Sequence, residues 1–154
     1  MRLTTFSDYG LRVLIYLGVH RERLATIAEI ARAYRVSENH LMKVVHHLAR
    51  HGYVETIRGK GGGMRLARPA ADINLGAVVR ESEDNLGFVE CFDKATSDCR
   101  IAPACRLKGV LGEALDAFFA TLDRYTLADL IASRGRLAKL IPLQQVEAIV
   151  SDRG

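Results

Sequence analysis

Three cysteines carry the most reactive side chains of this 154-residue chain, which has no others of that type. They lie within fifteen residues, as Cys91, Cys99 and Cys105, in the spacing Cys-x7-Cys-x5-Cys. Thiolates bind tetrahedral zinc and the iron of iron–sulfur clusters, and both kinds of site generally use four ligands. The cysteines therefore predict a metal site whose fourth ligand comes from elsewhere in the chain or from another chain.

The setting of these cysteines argues against a disulfide framework. Three thiols cannot all pair within one chain, and the residues around them include Asp93, Asp98 and Pro103, which favour irregular backbone. No apolar run reaches the roughly 20 residues that span a bilayer, and the opening residues contain no apolar core of a secretory signal. We therefore expect a cytoplasmic protein with no membrane partner, in which metal ligation or redox chemistry replaces a structural disulfide.

Charge is distributed unevenly along the chain. Residues 1–68 hold twelve Lys and Arg against five Asp and Glu, a balance of +7, whereas residues 69–154 hold ten against thirteen, a balance of −3. The expected partner of the basic part is a polyanion, in particular double-stranded DNA. We predict a DNA-binding domain at 1–70, a region with the cysteines and dimerisation helices at 71–143, and a tail at 144–154.

Capping residues in the basic part predict two successive helices. Ser7 and Asp8 are candidate N-caps of a first helix that ends near His20. Thr26 and Glu29 have the spacing of a capping box, in which each side chain satisfies a backbone amide of the other residue. A short second helix is therefore predicted to end at about residue 34.

A third predicted helix begins after Ser37 and ends near residue 52, which completes a helix-turn-helix. The early, exposed residues of such a helix enter the major groove of DNA, so we predict contacts from Ser37, Glu38, Asn39, His40 and Lys43. The Asn39 amide can read adenine, and Lys43 can bind guanine or phosphate. In the alternative interpretation Ser37 is only a cap and Glu38 only a favourable first-turn carboxylate.

A glycine-rich basic turn follows the third helix. Residues 53–57 alternate as a strand, and residues 64–67 can return as its partner. Close approach to the DNA backbone is predicted for the residues between and beside them: Arg58, Lys60, Gly61, Gly62 and Arg65. This hairpin would be a wing, although an ordinary flexible hairpin gives the same pattern. The predicted fold is mainly α, with a small β-hairpin wing and a winged helix-turn-helix.

The acidic part contains an apolar stripe at helical spacing. A long helix is predicted to open at Pro103 and Ala104, with one apolar face made of Leu107, Val110, Leu111, Ala114, Leu115, Phe118 and Leu122. Two copies joined through this face would present two recognition helices to successive DNA half-sites, but an intramolecular core helix is the alternative. Shorter helices are predicted after the cap Asn74, to about Glu83, and after the cap Thr126, to about Ser133.

Several segments in combination resemble the Rrf-type winged-helix regulators. They are residues 1–12, the wing, the cysteine segment, and residues 101–108 and 125–130, and the resemblance spans about residues 1–143. It implies a homodimeric transcriptional repressor, not an enzyme, with one iron–sulfur cluster per subunit bound by the three cysteines, [4Fe–4S] being favoured over [2Fe–2S]. Regulators of cluster biogenesis in this family have a histidine three residues after the last cysteine, where this chain has Lys108. That difference favours the family's nitric-oxide-sensitive repressors.

The resemblance also implies the fourth ligand. A carboxylate of the first helix can complete the site in the nitric-oxide-sensitive repressors, and the matching residue is Asp8, reaching across from the partner subunit. Carboxylate is a harder donor than thiolate and holds cluster iron less firmly. We therefore expect nitric oxide to act where Asp8 binds and to release the protein from DNA, whereas the alternative role of Asp8 is that of a helix cap.

Other functions fit parts of the same sequence. An iron–sulfur or redox-responsive regulator of cluster biogenesis would use the same cysteines, and a zinc-stabilised winged-helix regulator would use them with Asp8. A thiol oxidoreductase would use them as nucleophiles, but the chain contains no Cys-x-x-Cys motif.

Overall fold

Helices and one hairpin make up the computed structural model, which describes residues 2–84, 86, 89–93, 95 and 97–143. The elements in chain order are α1 (Thr5–Val19), α2 (Ile27–Tyr34), α3 (Glu38–Arg50), β1 (Val54–Ile57), β2 (Gly63–Leu66), α4 (Leu75–Ser82), α5 (Arg106–Leu122), α6 (Leu127–Leu130) and α7 (Arg134–Leu140). The predicted mainly α fold with a hairpin wing is confirmed. The predicted tail at 144–154 lies outside the described residues. No helix in the described part is long and apolar enough to cross a membrane.

The start of α1 differs from the prediction. Thr4 is the N-cap, with extended backbone, and its Oγ1 accepts a hydrogen bond from the Ser7 amide at 3.2 Å. Ser7 and Asp8 therefore lie within the first turn, and their predicted role as N-caps was wrong. Thr4 was overlooked because all three residue types are good caps, and only the backbone conformation at Thr4 decides among them.

The helix-turn-helix is formed by α2 and α3 as predicted. The capping box is present, since Glu29 Oε2 accepts from the Thr26 amide at 2.7 Å and the Thr26 hydroxyl accepts from the Glu29 amide at 3.3 Å. Arg35, with a φ of 55°, ends α2 in the left-handed region and turns the chain sharply. Ser37 occupies the N-cap position of α3, but its side chain makes no capping hydrogen bond.

The wing is a two-stranded antiparallel sheet in which Val54 pairs with Leu66 and Ile57 with Gly63. Met64 is buried and ties the wing to the loop before α2, because Met64 and Ala25 exchange two backbone hydrogen bonds of 2.8 and 3.0 Å. The strand β2 is thus held against the helical part of the protein close to the turn of the wing.

The second part of the chain departs from prediction in three details. A separate 3₁₀ turn at Ala102–Ala104 contains Pro103, and α5 starts at Arg106 with Cys105 as its N-cap, so the predicted opening at Pro103 was wrong. The extended backbone of Cys105 separates the turn from the helix. In addition, α6 is shorter than predicted, and α7 was not predicted.

The core surrounds α1. Val13, Leu14 and Tyr16 of this helix are fully buried, and α1 contacts α3, β2, α4, α6 and α7. Leu127 and Ile141 belong to the same hydrophobic cluster. The helix that carries Asp8 is therefore held by elements from both parts of the chain.

Candidate nucleic-acid interface and cysteine segment

The first turns of α3 present a polar surface. The five residues predicted to contact DNA there, Ser37, Glu38, Asn39, His40 and Lys43, are all exposed. The other side of α3 is buried through Leu41, Val44, Val45 and Leu48. Because packing fixes the buried side, the polar side is presented in one orientation, as a recognition helix requires.

Histidines of α3 also contact neighbouring elements. The His47 ring meets the Phe6 ring edge-on, with 5.2 Å between centroids, and lies 4.1 Å from the His51 ring. Burial lowers the pKa of His47, and the neighbouring His51 lowers it further. His47 therefore favours its neutral form and acts in helix packing more than as a phosphate-binding cation.

The tip of the wing is exposed and shaped by glycine. Arg58, Lys60 and Gly61 are exposed, and Gly61 has a φ of 75°, which side-chain-bearing residues rarely adopt. A Cβ on Gly62 would clash with the Ile57 carbonyl oxygen and lie 2.8 Å from that of Gly59. The two glycines are thus required by the backbone of the turn itself.

Two arginines near the wing are engaged within the protein. Arg65 is exposed but pairs with Glu55 on the opposite strand at 2.9 Å, so its charge is partly neutralised. Arg68 donates hydrogen bonds of 2.9 Å to the carbonyl oxygens of His51 and Gly52 at the end of α3, and its guanidinium lies 4.7 Å from the Tyr53 ring centroid. Arg58 and Lys60 are therefore the better candidates for phosphate contacts.

Asp8 lies on α1 with its side chain 45% exposed. Its carboxylate forms an ion pair with Arg12 one turn later, at 2.9 Å between Oδ2 and Nη2, and Oδ1 accepts a hydrogen bond from Nε at 3.1 Å. This pair was not predicted from the sequence, although the four-residue spacing of opposite charges is the usual signal of such a pair.

The cysteines are all free thiols. Cys91 lies in a 3₁₀ turn at Glu90–Phe92 and Cys105 caps α5, and both are partly exposed, whereas Cys99 is exposed. Among the residues that the structure describes, no three His, Cys, Asp or Glu side chains are gathered in a group that could hold a metal ion. The structure thus shows accessible donors in an irregular segment, and it does not bring Asp8 and the cysteines together.

One side of α5 lacks a partner in the described part of the chain. Leu107 and Val110 are 60% and 52% exposed, and Phe119 is the only buried residue of the helix. Phe119 packs towards α4, where the Arg80 guanidinium lies 4.3 Å from its ring centroid and pairs with Asp123 at 2.7 Å. The alternative of an intramolecular core helix does not account for the exposed apolar face.

Comparison with known proteins identifies the family. The profile of the Rrf2 family, described as iron-dependent transcriptional regulators, matches residues 3–133. The chain belongs to the Rrf2 family. It is 51% identical to the HTH-type transcriptional regulator NsrR of Bacillus subtilis (strain 168), covering 94% of this chain and 100% of that protein. It is 50% identical to NsrR of Geobacillus kaustophilus (strain HTA426), covering 92% and 97%.

Solved structures show the same fold in other Rrf2-like regulators. T. potens IscR has a TM-score of 0.68 and 27% identity, covering 86% of this chain and 88% of that one. CymR (YrzC), the global cysteine regulator of B. subtilis, has a TM-score of 0.67 and 28% identity, covering 86% and 98%. This Rrf2 protein is thus a DNA-binding transcriptional regulator with a winged helix-turn-helix, and not an enzyme.

Proposed function

We propose that the protein is a cytoplasmic, homodimeric repressor that binds an iron–sulfur cluster through Cys91, Cys99 and Cys105 and leaves its operator in response to nitric oxide. The observation that carries the proposal is the placing of three free thiols in the segment between α4 and α5. The family description, iron-dependent transcriptional regulator, and the similarity to proteins named NsrR support it.

The chemistry of the donor set fits this cofactor. Thiolates are soft ligands that suit the iron of a cluster, and none of the three cysteines is committed to a disulfide. All three are at least partly exposed, so the segment can accept a cofactor without opening the hydrophobic core. Lys108, in the first turn of α5, cannot act as a ligand while protonated, and the fourth ligand must come from elsewhere.

Asp8 is the proposed fourth ligand, supplied by the partner subunit. Its carboxylate is exposed on α1, and Arg12 holds it from one side. When bound, an iron–sulfur cluster, [4Fe–4S] being favoured, supplies iron that reacts with nitric oxide. Among the four proposed ligands, the carboxylate is the weakest donor for such iron. Arg12 is placed to form an ion pair with the Asp8 carboxylate once that carboxylate is no longer a ligand.

DNA binding is assigned to the exposed side of α3 and to the wing. Asn39 and Lys43 would contact base edges or phosphates, and Arg58 and Lys60 would follow the DNA backbone. The apolar face of α5 would join two copies and set two α3 helices about 34 Å apart, as successive half-sites require.

An anaerobic purification tests the cofactor. We expect a coloured protein with iron and sulfide in equal amounts, and a visible spectrum that distinguishes [4Fe–4S] from [2Fe–2S]. A colourless protein with stoichiometric zinc would instead support the zinc-stabilised regulator.

A nitric oxide titration tests the response. Operator affinity, measured by fluorescence anisotropy at fixed salt, should fall in step with the change in visible absorbance. Unchanged affinity after complete reaction would contradict nitric oxide as the signal, and an affinity that follows only the presence or absence of the cluster would support a regulator of cluster biogenesis.

A further inference from the structure

Hydrogen bonds join the end of α4 to the start of α1. The backbone N–H of Thr4 donates to Glu83 Oε1 at 2.8 Å, and the Thr4 hydroxyl donates to the same oxygen at 3.0 Å. Thr4 is the N-cap whose Oγ1 also accepts from the Ser7 amide. The Glu83 carboxylate thus completes the cap of α1 and lies where the helix dipole favours a negative charge.

The first turns of α1 lie directly against the recognition helix. The Phe6 ring meets the His47 ring edge-on at 5.2 Å. Tyr9 lines a groove together with His40 and Lys43, two of the residues assigned to DNA contact. A shift of the first turn of α1 would therefore move groups packed against the DNA-facing side of α3.

The last turn of α4 reaches the wing as well. Burial of Tyr53, with a further contribution from its hydrogen bond to Glu81, raises the pKa of this residue to about 12. Tyr53 immediately precedes β1, and Glu81 also acts electrostatically on His47 of α3. One turn of α4 thus touches the first helix, the recognition helix and the base of the wing.

The cysteine segment follows this same turn in the chain. Glu83 is the residue directly after α4 and precedes Cys91 by eight residues. We infer that Glu83 is a positioning residue that transmits a rearrangement of the cysteine segment to the recognition helix by holding or releasing the N-cap of α1. The inference rests on the proposed role of the cysteines, and it gives the coupling two discrete states, with the two hydrogen bonds to Thr4 made or broken.

Variants at Glu83 test this link in the cluster-loaded, full-length protein. Glu83→Ala removes the acceptor, Glu83→Gln keeps an acceptor oxygen without the charge, and Asp84→Ala is the matched control at the next residue. In the wild type, operator affinity should fall after reaction with nitric oxide. In Glu83→Ala the fold-change should be smaller by at least about fivefold, at unchanged iron content and spectral response. Glu83→Gln and Asp84→Ala should behave like the wild type.

A second measurement needs no cofactor. In metal-free protein, amide hydrogen exchange of the first turn of α1 should be faster in Glu83→Ala than in the wild type and unchanged in Asp84→Ala. If Glu83→Ala lowers the yield of folded protein, Thr4→Val, which removes the hydroxyl, and Thr4→Ser, which keeps it, serve the same comparison.

The outcomes separate this inference from the proposed function. Equal fold-changes in the wild type and Glu83→Ala, with equal exchange, overturn the role of Glu83. If the operator affinity of the wild type does not change with nitric oxide, the proposed signal is overturned. The role of Glu83 is then tested by the ratio of operator affinities with and without bound metal. Equal ratios in the wild type and Glu83→Ala would overturn that role.

Discussion

Arg12 holds the Asp8 carboxylate at two points, with Nη2 2.9 Å from Oδ2 and Nε 3.1 Å from Oδ1. The guanidinium is itself positioned between two rings, 5.9 Å from the centroid of Tyr9 and 5.8 Å from that of Tyr34. The carboxylate is thereby presented from α1 as an oriented oxygen donor. When the Asp8 carboxylate binds another group, its ion pair with Arg12 must weaken or the carboxylate must contact both groups at once.

Substitution of Asp8 should separate stability from sensing. Because the pair is about half exposed, Asp8→Ala should change the free energy of unfolding by no more than about 0.5 kcal/mol in urea denaturation. The visible spectrum and the rate of reaction with nitric oxide should change, whereas Asp72→Ala, which also removes an exposed acid, should alter neither. An identical spectrum and rate in Asp8→Ala would exclude Asp8 as the fourth ligand.

Each cysteine should be required for the cofactor but not for the fold. Cys91→Ser, Cys99→Ser and Cys105→Ser should each lower iron and sulfide per chain by most of the wild-type value, while circular dichroism keeps its helical signal, since none of the thiols lies in the core. Serine at 105 remains a good N-cap for α5. Ser97→Ala is the control in the same segment, and full loading of any cysteine variant would contradict the ligand set.

Residues of α3 should divide into those that read sequence and those that bind phosphate. Asn39→Ala should cost about 1–3 kcal/mol at the operator and relax the preference at one base pair. Lys43→Ala, if the side chain binds phosphate, should weaken all sequences alike and reduce the salt-dependence slope by about 1. Anisotropy titrations over a range of salt concentrations measure both, and Lys139→Ala on α7 is the charge-matched control. A uniform loss in Asn39→Ala would refute base reading there.

The wing turn should not tolerate a side chain at Gly62. A Cβ there meets the carbonyl oxygens of Ile57 and Gly59, so Gly62→Ala should distort the turn and lower operator affinity. Gly135→Ala provides the control, because a Cβ at that helical position meets nothing within 4 Å and should stabilise the protein by up to about 1 kcal/mol. Wild-type affinity in Gly62→Ala would show that DNA binding does not depend on this turn.

The exposed face of α5 should hold the dimer together. Val110→Glu should shift the protein from dimer to monomer in analytical ultracentrifugation, because a buried carboxylate at an apolar interface has no partner. Ala120→Glu introduces the same charge on another side of α5 and should leave the dimer intact. A monomeric wild type, or a dimeric Val110→Glu, would place the interface elsewhere.

The sequence was sufficient where local chemistry decides structure. Thr26 and Glu29 satisfy each other's amides at a three-residue spacing, the apolar residues of α3 repeat at the helical period, and the glycines at 61 and 62 suit only a tight turn. These signals fixed the helix-turn-helix and the wing. The cysteine spacing places three thiols in one short segment, and the metal site expected there stays a prediction.

Tertiary structure decided what connects these parts. Thr4, and not Ser7 or Asp8, has the extended backbone of the cap of α1, and α4 places the Glu83 carboxylate beside it, across 79 residues of chain. In the same way Arg134 of α7 donates a hydrogen bond of 2.6 Å to the Val19 carbonyl oxygen, a contact that no local sequence pattern predicts. The sequence by itself determined the helix-turn-helix and the wing and supplied the candidate groups for binding DNA and metal. Which of them lie within reach of one another depends on helix packing, and packing depends on the shape of the whole core and not on spacing along the chain.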